Sequence, residues 1–167
     1  MAVMKVYVMR HGPAEDDSPT GRDHDRALTT SGRDRTRSVA RALVDGGEAP
    51  VTIISSPLVR ALQTAEIVAA VAGVDQVEVR REMAPGGDSV ALIGELLRAD
   101  KRRVMLVGHE PDLSMLVHRL VGKAPEQGML KAMVVGVRSE VDANEPKGFT
   151  SKLRFVLDPK SLEWQRE

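Results

Sequence analysis

Three short segments of this 167-residue chain carry residue types suited to phosphate chemistry. Arg10-His11-Gly12 follows the apolar run at residues 3–9. Ser55-Ser56-Pro57-Leu58-Val59-Arg60 closes the run that begins at Val51, and Gly108-His109-Glu110 follows residues 104–107. A guanidinium fork matches two phosphate oxygens at once, and a neutral imidazole can attack phosphorus or donate to a bound oxyanion. Two arginines and two histidines placed behind apolar runs therefore suit phosphoryl transfer. No carboxylate cluster accompanies them, which disfavours a metal-dependent route, and neither metal nor cofactor is expected. Taken singly, His11 reads as a strand-end histidine satisfied by backbone and His109 as a helix cap; the company of Arg10 and Arg60 tips both toward catalysis. Ser55 and Ser56 have no GxSxG context, so a serine hydrolase reading fails.

These side chains need a scaffold that carries all three segments to one edge. Residues 3–9, 51–55, 77–79 and 104–107 read as short strands with apolar or β-branched cores, and residues 132–138 and 153–157 add two more. Between them lie helical stripes. Thr36, Val39, Ala40 and Leu43 follow a Thr29-Thr30 cap and stop at Gly46-Gly47. Leu58, Ala61, Leu62, Ala65, Val68, Ala69 and Ala72 end at Gly73. Ala91, Leu92 and Leu96 sit in residues 88–99, and Leu113, Leu116, Val117 and Leu120 follow Pro111. Strands alternating with helices predict one three-layer α/β/α domain over residues 1–167, its central sheet mostly parallel with an antiparallel edge from the two late strands. In such sheets ligands bind at the strands' carboxyl ends, where the three polar segments fall. Residues 12–28 hold no apolar period and read as a long loop at that edge.

Composition narrows the function classes. Twenty-four Lys and Arg balance 24 Asp and Glu, so no net basic field draws in nucleic acid or an anionic membrane. The absence of cysteine excludes disulfides, thiolate zinc sites and thiol nucleophiles. Aromatic residues make up 2%, so the core must be built from Val, Leu, Ile, Ala and Met. The longest apolar stretch, residues 67–74, is too short to span a bilayer, and the first residues lack a signal-peptide layout; the expectation is a cytoplasmic protein.

The segments MRHG (9–12), LTTSG (28–32), SSPLVRALQTAEI (55–67) and VGHEPDLS (107–114), in this order and spacing, resemble the histidine phosphatase superfamily. Within it, the small size and the run Glu110-Pro111-Asp112-Leu113-Ser114 most resemble the SixA-type phosphohistidine phosphatases. The resemblance implies a phosphoglycerate mutase-like fold and a phosphohistidine intermediate on His11. It makes Arg10 and Arg60 the clamp on the phosphoryl oxygens, with His109 as a further donor and Arg26 as an additional arginine over the pocket. Gly12 would let the backbone approach the nucleophile closely. The expected partner is a phosphorylated protein or small phosphorylated substrate, with inorganic phosphate as product.

The general acid is the open point. Larger members use a carboxylic acid after the third strand, and Glu82 and Asp88 are the candidates here; Asp88 is equally a helix N-cap. Phosphohistidine expels an imidazole, a better leaving group than an alkoxide, and needs less help from an acid. The leading expectation is thus hydrolysis of phosphohistidine in a protein partner. The alternatives are a phosphatase of small phosphomonoesters with Glu82 as acid, and a phosphate-binding interaction protein without turnover. His24 and His118 read as surface residues. Arg33, Arg35, Arg37 and Arg41 read as the solvated face of the first helix, and Met83 and Pro85 are candidates for the pocket rim.

Overall fold

The computed structural model describes residues 2–167, and its strands form one seven-stranded sheet. Strand β1 spans Val3–Arg10, helix α1 Thr30–Asp45, β2 Thr52–Ser55, α2 Val59–Ala72 and β3 Glu78–Val79. They are followed by α3 at Ser89–Arg98, β4 at Arg103–Gly108, α4 at Asp112–Val121, β5 at Val134–Val141, β6 at Phe149–Leu157 and β7 at Trp164–Arg166. The strand order is β3-β2-β4-β1-β5-β6-β7. The pairs β3/β2, β2/β4 and β4/β1 are parallel; β1/β5, β5/β6 and β6/β7 are antiparallel.

Alternation along β1 sorts side chains between two apolar layers, because successive strand residues point to opposite faces. Val6 and Val8 join Val104, Leu106, Leu92, Leu113 and Leu116 under α3 and α4. Tyr7 and Met9 join Ile53, Met105, Val39, Leu43, Ala61 and Val68 under α1 and α2. The sheet is thus covered on both sides, as a parallel sheet requires. The helix boundaries follow the local chemistry. Thr29 Oγ1 accepts from Gly32 N at 2.8 Å and opens α1, Asp88 caps α3 through Ala91 N at 3.0 Å, and Gly73, at φ 74°, closes α2.

Four features depart from the sequence pattern. The antiparallel flank has three strands, because Trp164–Arg166 pairs with β6; three residues are too few to show a period. The third parallel strand is only Glu78–Val79, both exposed at the sheet edge. The loop at residues 12–28 contains a 3₁₀ turn at Asp23–Asp25 and an isolated bridge from Ala14 to Leu28. Strand β5 begins at Val134 rather than 132, because Ala132 takes a left-handed φ of 67° and shares its N–H between the carbonyls of Arg10 and His11.

Candidate active site

Strand register brings the three polar segments together. Arg10 lies opposite Gly108 across β1 and β4, and His11 N donates to the Gly108 carbonyl at 3.2 Å. On the other side of β4, Ser56 N donates to the Val107 carbonyl at 3.0 Å, so β2 ends beside the same point. Arg60 stands in the first turn of α2, which leaves β2 there. Three parallel strands, side by side with their carboxyl ends level, place two histidines and two arginines around one spot.

His11 is buried, with 6% exposure, and its Nδ1 lies 2.7 Å from the Gly12 carbonyl oxygen. A carbonyl only accepts, so Nδ1 carries the hydrogen and Nε2 keeps its lone pair. Burial pushes the pKa down to about 3, opposed by the Gly12 hydrogen bond and reinforced by His109, Arg60 and Arg10; at neutral pH the ring is uncharged, with the Nε2 lone pair free. The segment reaches this position because Gly12 lies against α1. A β-carbon at Gly12 would sit 2.5 Å from Thr36 Oγ1 and 3.1 Å from the Gly32 carbonyl, and one at Gly32 would sit 2.0 Å from the Pro13 carbonyl. Gly12 N donates to Thr64 Oγ1 at 3.0 Å and fixes the same turn from α2.

The His109 ring faces His11 with centroids 5.3 Å apart. Its Nε2 lies 2.7 Å from Ser56 Oγ, and that hydroxyl accepts from Leu58 N at 3.1 Å. The Ser56 hydroxyl hydrogen has no other acceptor among the described residues, so it goes to Nε2, which puts the His109 proton on Nδ1. Burial, then the Arg60 charge, pushes the His109 pKa down to about 4. His109 Nδ1, Arg10 Nε and Arg60 Nε are all buried and have no hydrogen-bond partner among the described residues. Buried donors are nearly always satisfied, so three orphans from three separate segments mark a place for an external acceptor.

Each arginine is held from its far end. Arg10 Nη1 donates to the Met129 carbonyl at 2.9 Å, and Met129 N in turn donates to Glu110 Oε2 at 3.1 Å. Glu110 also takes Ser114 N at 2.8 Å and Ser114 Oγ at 2.6 Å, which locks the start of α4 to the same loop. Arg60 Nη1 donates to the Asp23 carbonyl at 2.9 Å and Nη2 to its carboxylate at 3.1 Å. Asp23 also accepts from Arg26 Nε at 2.9 Å, so Arg26 reaches the site through a shared carboxylate; Arg26 Nη1 is taken by the Glu15 carbonyl at 3.0 Å.

Glu82 stands apart from this group. Arg80 grips it at 2.6 Å and Glu95 at 2.7 Å, and that guanidinium holds the Glu82 carboxyl below the usual range, the opposite of what a proton donor needs. Asp88 caps α3. Met83 is buried under Gly108 and Pro85 is exposed, as are His24 and His118. Arg37 pairs with Asp34 at 3.1 Å, whereas Arg35 lines a groove that also includes Arg10. The residues that sequence reasoning missed are Ser56, Thr64, Glu110 and Asp23. The first three stand inside the quoted motifs, but only register reveals what they touch. Among the described residues no group of three or more His, Asp or Glu is gathered as metal ligands are.

A layered sheet with this cradle at its carboxyl edge defines a phosphate-handling α/β protein. A family model described as the histidine phosphatase superfamily (branch 1) matches residues 6–85. An uncharacterized protein of Picosynechococcus sp. is 38% identical over 81% of this chain and 86% of its own. The phosphohistidine phosphatase SixA of Escherichia coli K12 is 34% identical over 73% of this chain and 78% of its own. A solved structure of the protein histidine phosphatase SixA complexed with tungstate superposes with a TM-score of 0.76 at 28% identity, covering 96% of this chain and all of that one. The chain belongs to the histidine phosphatase superfamily and is a phosphatase.

Proposed function

We propose that the protein hydrolyses phosphohistidine in a protein partner through a phosphohistidine intermediate on His11. The observation that carries this reading is the set of three unpartnered buried donors, Arg10 Nε, Arg60 Nε and His109 Nδ1, around a histidine whose Nδ1 is tied and whose Nε2 is free. The phosphoryl group sits in that cradle, and the donors stabilise charge spread over its equatorial oxygens. His11 Nε2 bonds to phosphorus as the P–N bond of the substrate breaks. The substrate ring, protonated on its other nitrogen, departs as a neutral imidazole. A water molecule then attacks the phosphoenzyme, releasing inorganic phosphate and restoring His11.

The substrate class rests on the missing acid. Imidazole leaves with little help, whereas an alkoxide needs a proton in the transition state. Glu82 is tied to Arg80 and Asp88 to its helix, so neither is poised to supply one. The likeness to the Escherichia coli phosphohistidine phosphatase supports the same class.

The test is a side-by-side assay on a phosphohistidine protein, phosphoimidazole, an aryl phosphate and small sugar phosphates. The expected result is turnover of the N-phosphoryl substrates, poor turnover of alkyl phosphates, and an acid-labile, alkali-stable phosphoenzyme in rapid-quench samples. His11→Ala should abolish turnover with the fold intact. An active His11→Ala protein, or efficient turnover of alkyl esters alone, overturns the proposal.

A further inference from the structure

Beside the His11 site lies a groove of about 460 Å³ that shares Arg10 with it. Four of its lining residues, Arg10, Arg35, Lys131 and Lys160, are cations and none is an acid. This is a local excess in a chain whose charges balance. Several arginines elsewhere are paired: Arg37 with Asp34, Arg60 with Asp23, Arg80 with Glu82, Arg154 with Glu48. No salt bridge to any of the four groove cations is formed among the described residues. Asp158, two residues before Lys160, turns its Oδ1 onto the backbone N–H groups of Lys160 and Ser161 at 2.8 and 2.9 Å and so closes its own turn.

The groove is tied rigidly to the chemistry. Lys131 stands between Met129, whose carbonyl takes Arg10 Nη1, and Ala132, whose N–H is shared by the Arg10 and His11 carbonyls. Arg35 lies one turn beyond Ser31 in the opening of α1, whose first turn holds no acid. Positive backbone dipole at that helix start adds to the charge of the side chains. Lys160 comes from the β6–β7 turn. Arg35, Lys131 and Lys160 thus come from three segments around an open rim, with Lys131 and Lys160 exposed and Arg35 half-buried. That layout suits carboxylates spaced along a chain. A compact second phosphate calls for buried, converging donors of the kind found around His11.

We infer that this groove docks an acidic segment flanking the phosphohistidine of a protein substrate, with Arg35, Lys131 and Lys160 as the docking cations. The inference rests on the phosphohistidine reading above and extends it to the substrate's surroundings. Exposed ion pairs are individually weak, so removing three should raise KM about tenfold while kcat holds.

The test compares wild type with the combined variant Arg35→Ala, Lys131→Ala, Lys160→Ala. The substrates are a phosphohistidine peptide flanked by Asp and Glu, the same peptide flanked by Ser and Gln, phosphoimidazole and a small bisphosphate. Wild type should favour the acidic peptide through KM, and the variant should lose that preference while its phosphoimidazole rate stays the same. Fluorescence anisotropy with the unphosphorylated acidic peptide reads the groove whatever the enzyme hydrolyses, and wild type should bind it more tightly than the variant. Equal binding by the two proteins overturns the groove, as does a loss confined to the bisphosphate. Failure on phosphoimidazole and both peptides, with acidic-peptide binding intact, overturns the phosphohistidine reading and leaves an acidic docking groove on a different phosphatase.

Discussion

Ser56 Oγ lies 2.7 Å from His109 Nε2, and as donor to that nitrogen it leaves the ring hydrogen on the unpartnered Nδ1. Ser56→Ala removes the donor that pins the tautomer and leaves Nε2 buried without a partner. Losing one partner of a buried hydrogen bond costs about 1–3 kcal/mol, so kcat should fall by about tenfold or more. A purely structural role would lower the melting temperature alone. Positioning should also weaken inhibition by vanadate, because the misprotonated ring no longer donates to the oxyanion; unchanged vanadate inhibition would refute it.

The arginines divide by how they are held. Arg10 and Arg60 each keep a buried Nε free for the cradle, and losing one preorganised donor costs on the order of 10²- to 10³-fold in rate. Arg10→Ala and Arg60→Ala should both show losses of this size. Arg26 reaches the site only through Asp23, with its Nη1 committed to the Glu15 carbonyl, so Arg26→Ala should cost about tenfold or less on the scale of a single partly exposed ion pair. Steady-state kinetics of the three variants on one phosphohistidine substrate decides the order.

The two carboxylates in reach of the third strand have other work. Glu82→Gln should leave phosphohistidine turnover within about threefold of wild type, because a residue clamped by Arg80 transfers no proton. Asp88→Ala should cost about 1 kcal/mol of stability through its lost N-cap, again with turnover kept. A loss of about 10²- to 10⁴-fold for Glu82→Gln on alkyl esters would instead make Glu82 the acid of a phosphomonoesterase.

Acid should destabilise the fold through the same pair of histidines. In the unfolded chain an imidazole titrates at about 6.5, whereas burial lowers His11 to about 3 and His109 to about 4. Between these values the unfolded state binds more protons than the folded one, so stability rises with pH up to about 6.5 and falls as pH drops below it. The rings are close enough for their titrations to couple, and the loss ends only below the folded values. Urea midpoints measured from pH 4 to 8 should show this slope, and His11→Asn should flatten it. An unchanged slope in that variant would mean the ring is charged in the folded protein.

Much of this is legible in the sequence. The three-layer order follows from strands whose apolar residues run unbroken, and the convergence of His11, Arg60 and His109 follows from placing polar residues at three strand ends. What remained hidden lies in register and in contacts across loops. Nothing in the sequence says that Ser56 faces His109 or that Glu110 reaches Met129, because these are pairings between segments 53 and 19 residues apart. Glu82 illustrates the converse. Its position after the third strand fits an acid, yet Arg80, two residues before it, takes the carboxylate. The apparent solvated face of α1 likewise splits, since Arg37 finds Asp34 and Arg35 turns to the groove.

Gly12 links stability to catalysis in one substitution. A β-carbon there would lie 2.5 Å from Thr36 Oγ1 and 3.1 Å from the Gly32 carbonyl, so Gly12→Ala must push the turn after β1 away from α1. The same turn supplies the carbonyl that fixes His11 Nδ1, and its N–H is the one bound to Thr64. Overpacking of this kind costs about 1–3 kcal/mol, and a shift of even an ångström in a nucleophile can cost about 10²-fold in rate. The clash falls first on a single hydroxyl, so Thr36→Ala should relieve part of it. A double-mutant cycle of Gly12→Ala with Thr36→Ala, followed by both urea unfolding and kcat, should therefore show the pair less damaged than the sum of the singles. Strict additivity in both measurements would mean that the close approach of Gly12 to α1 does not position His11.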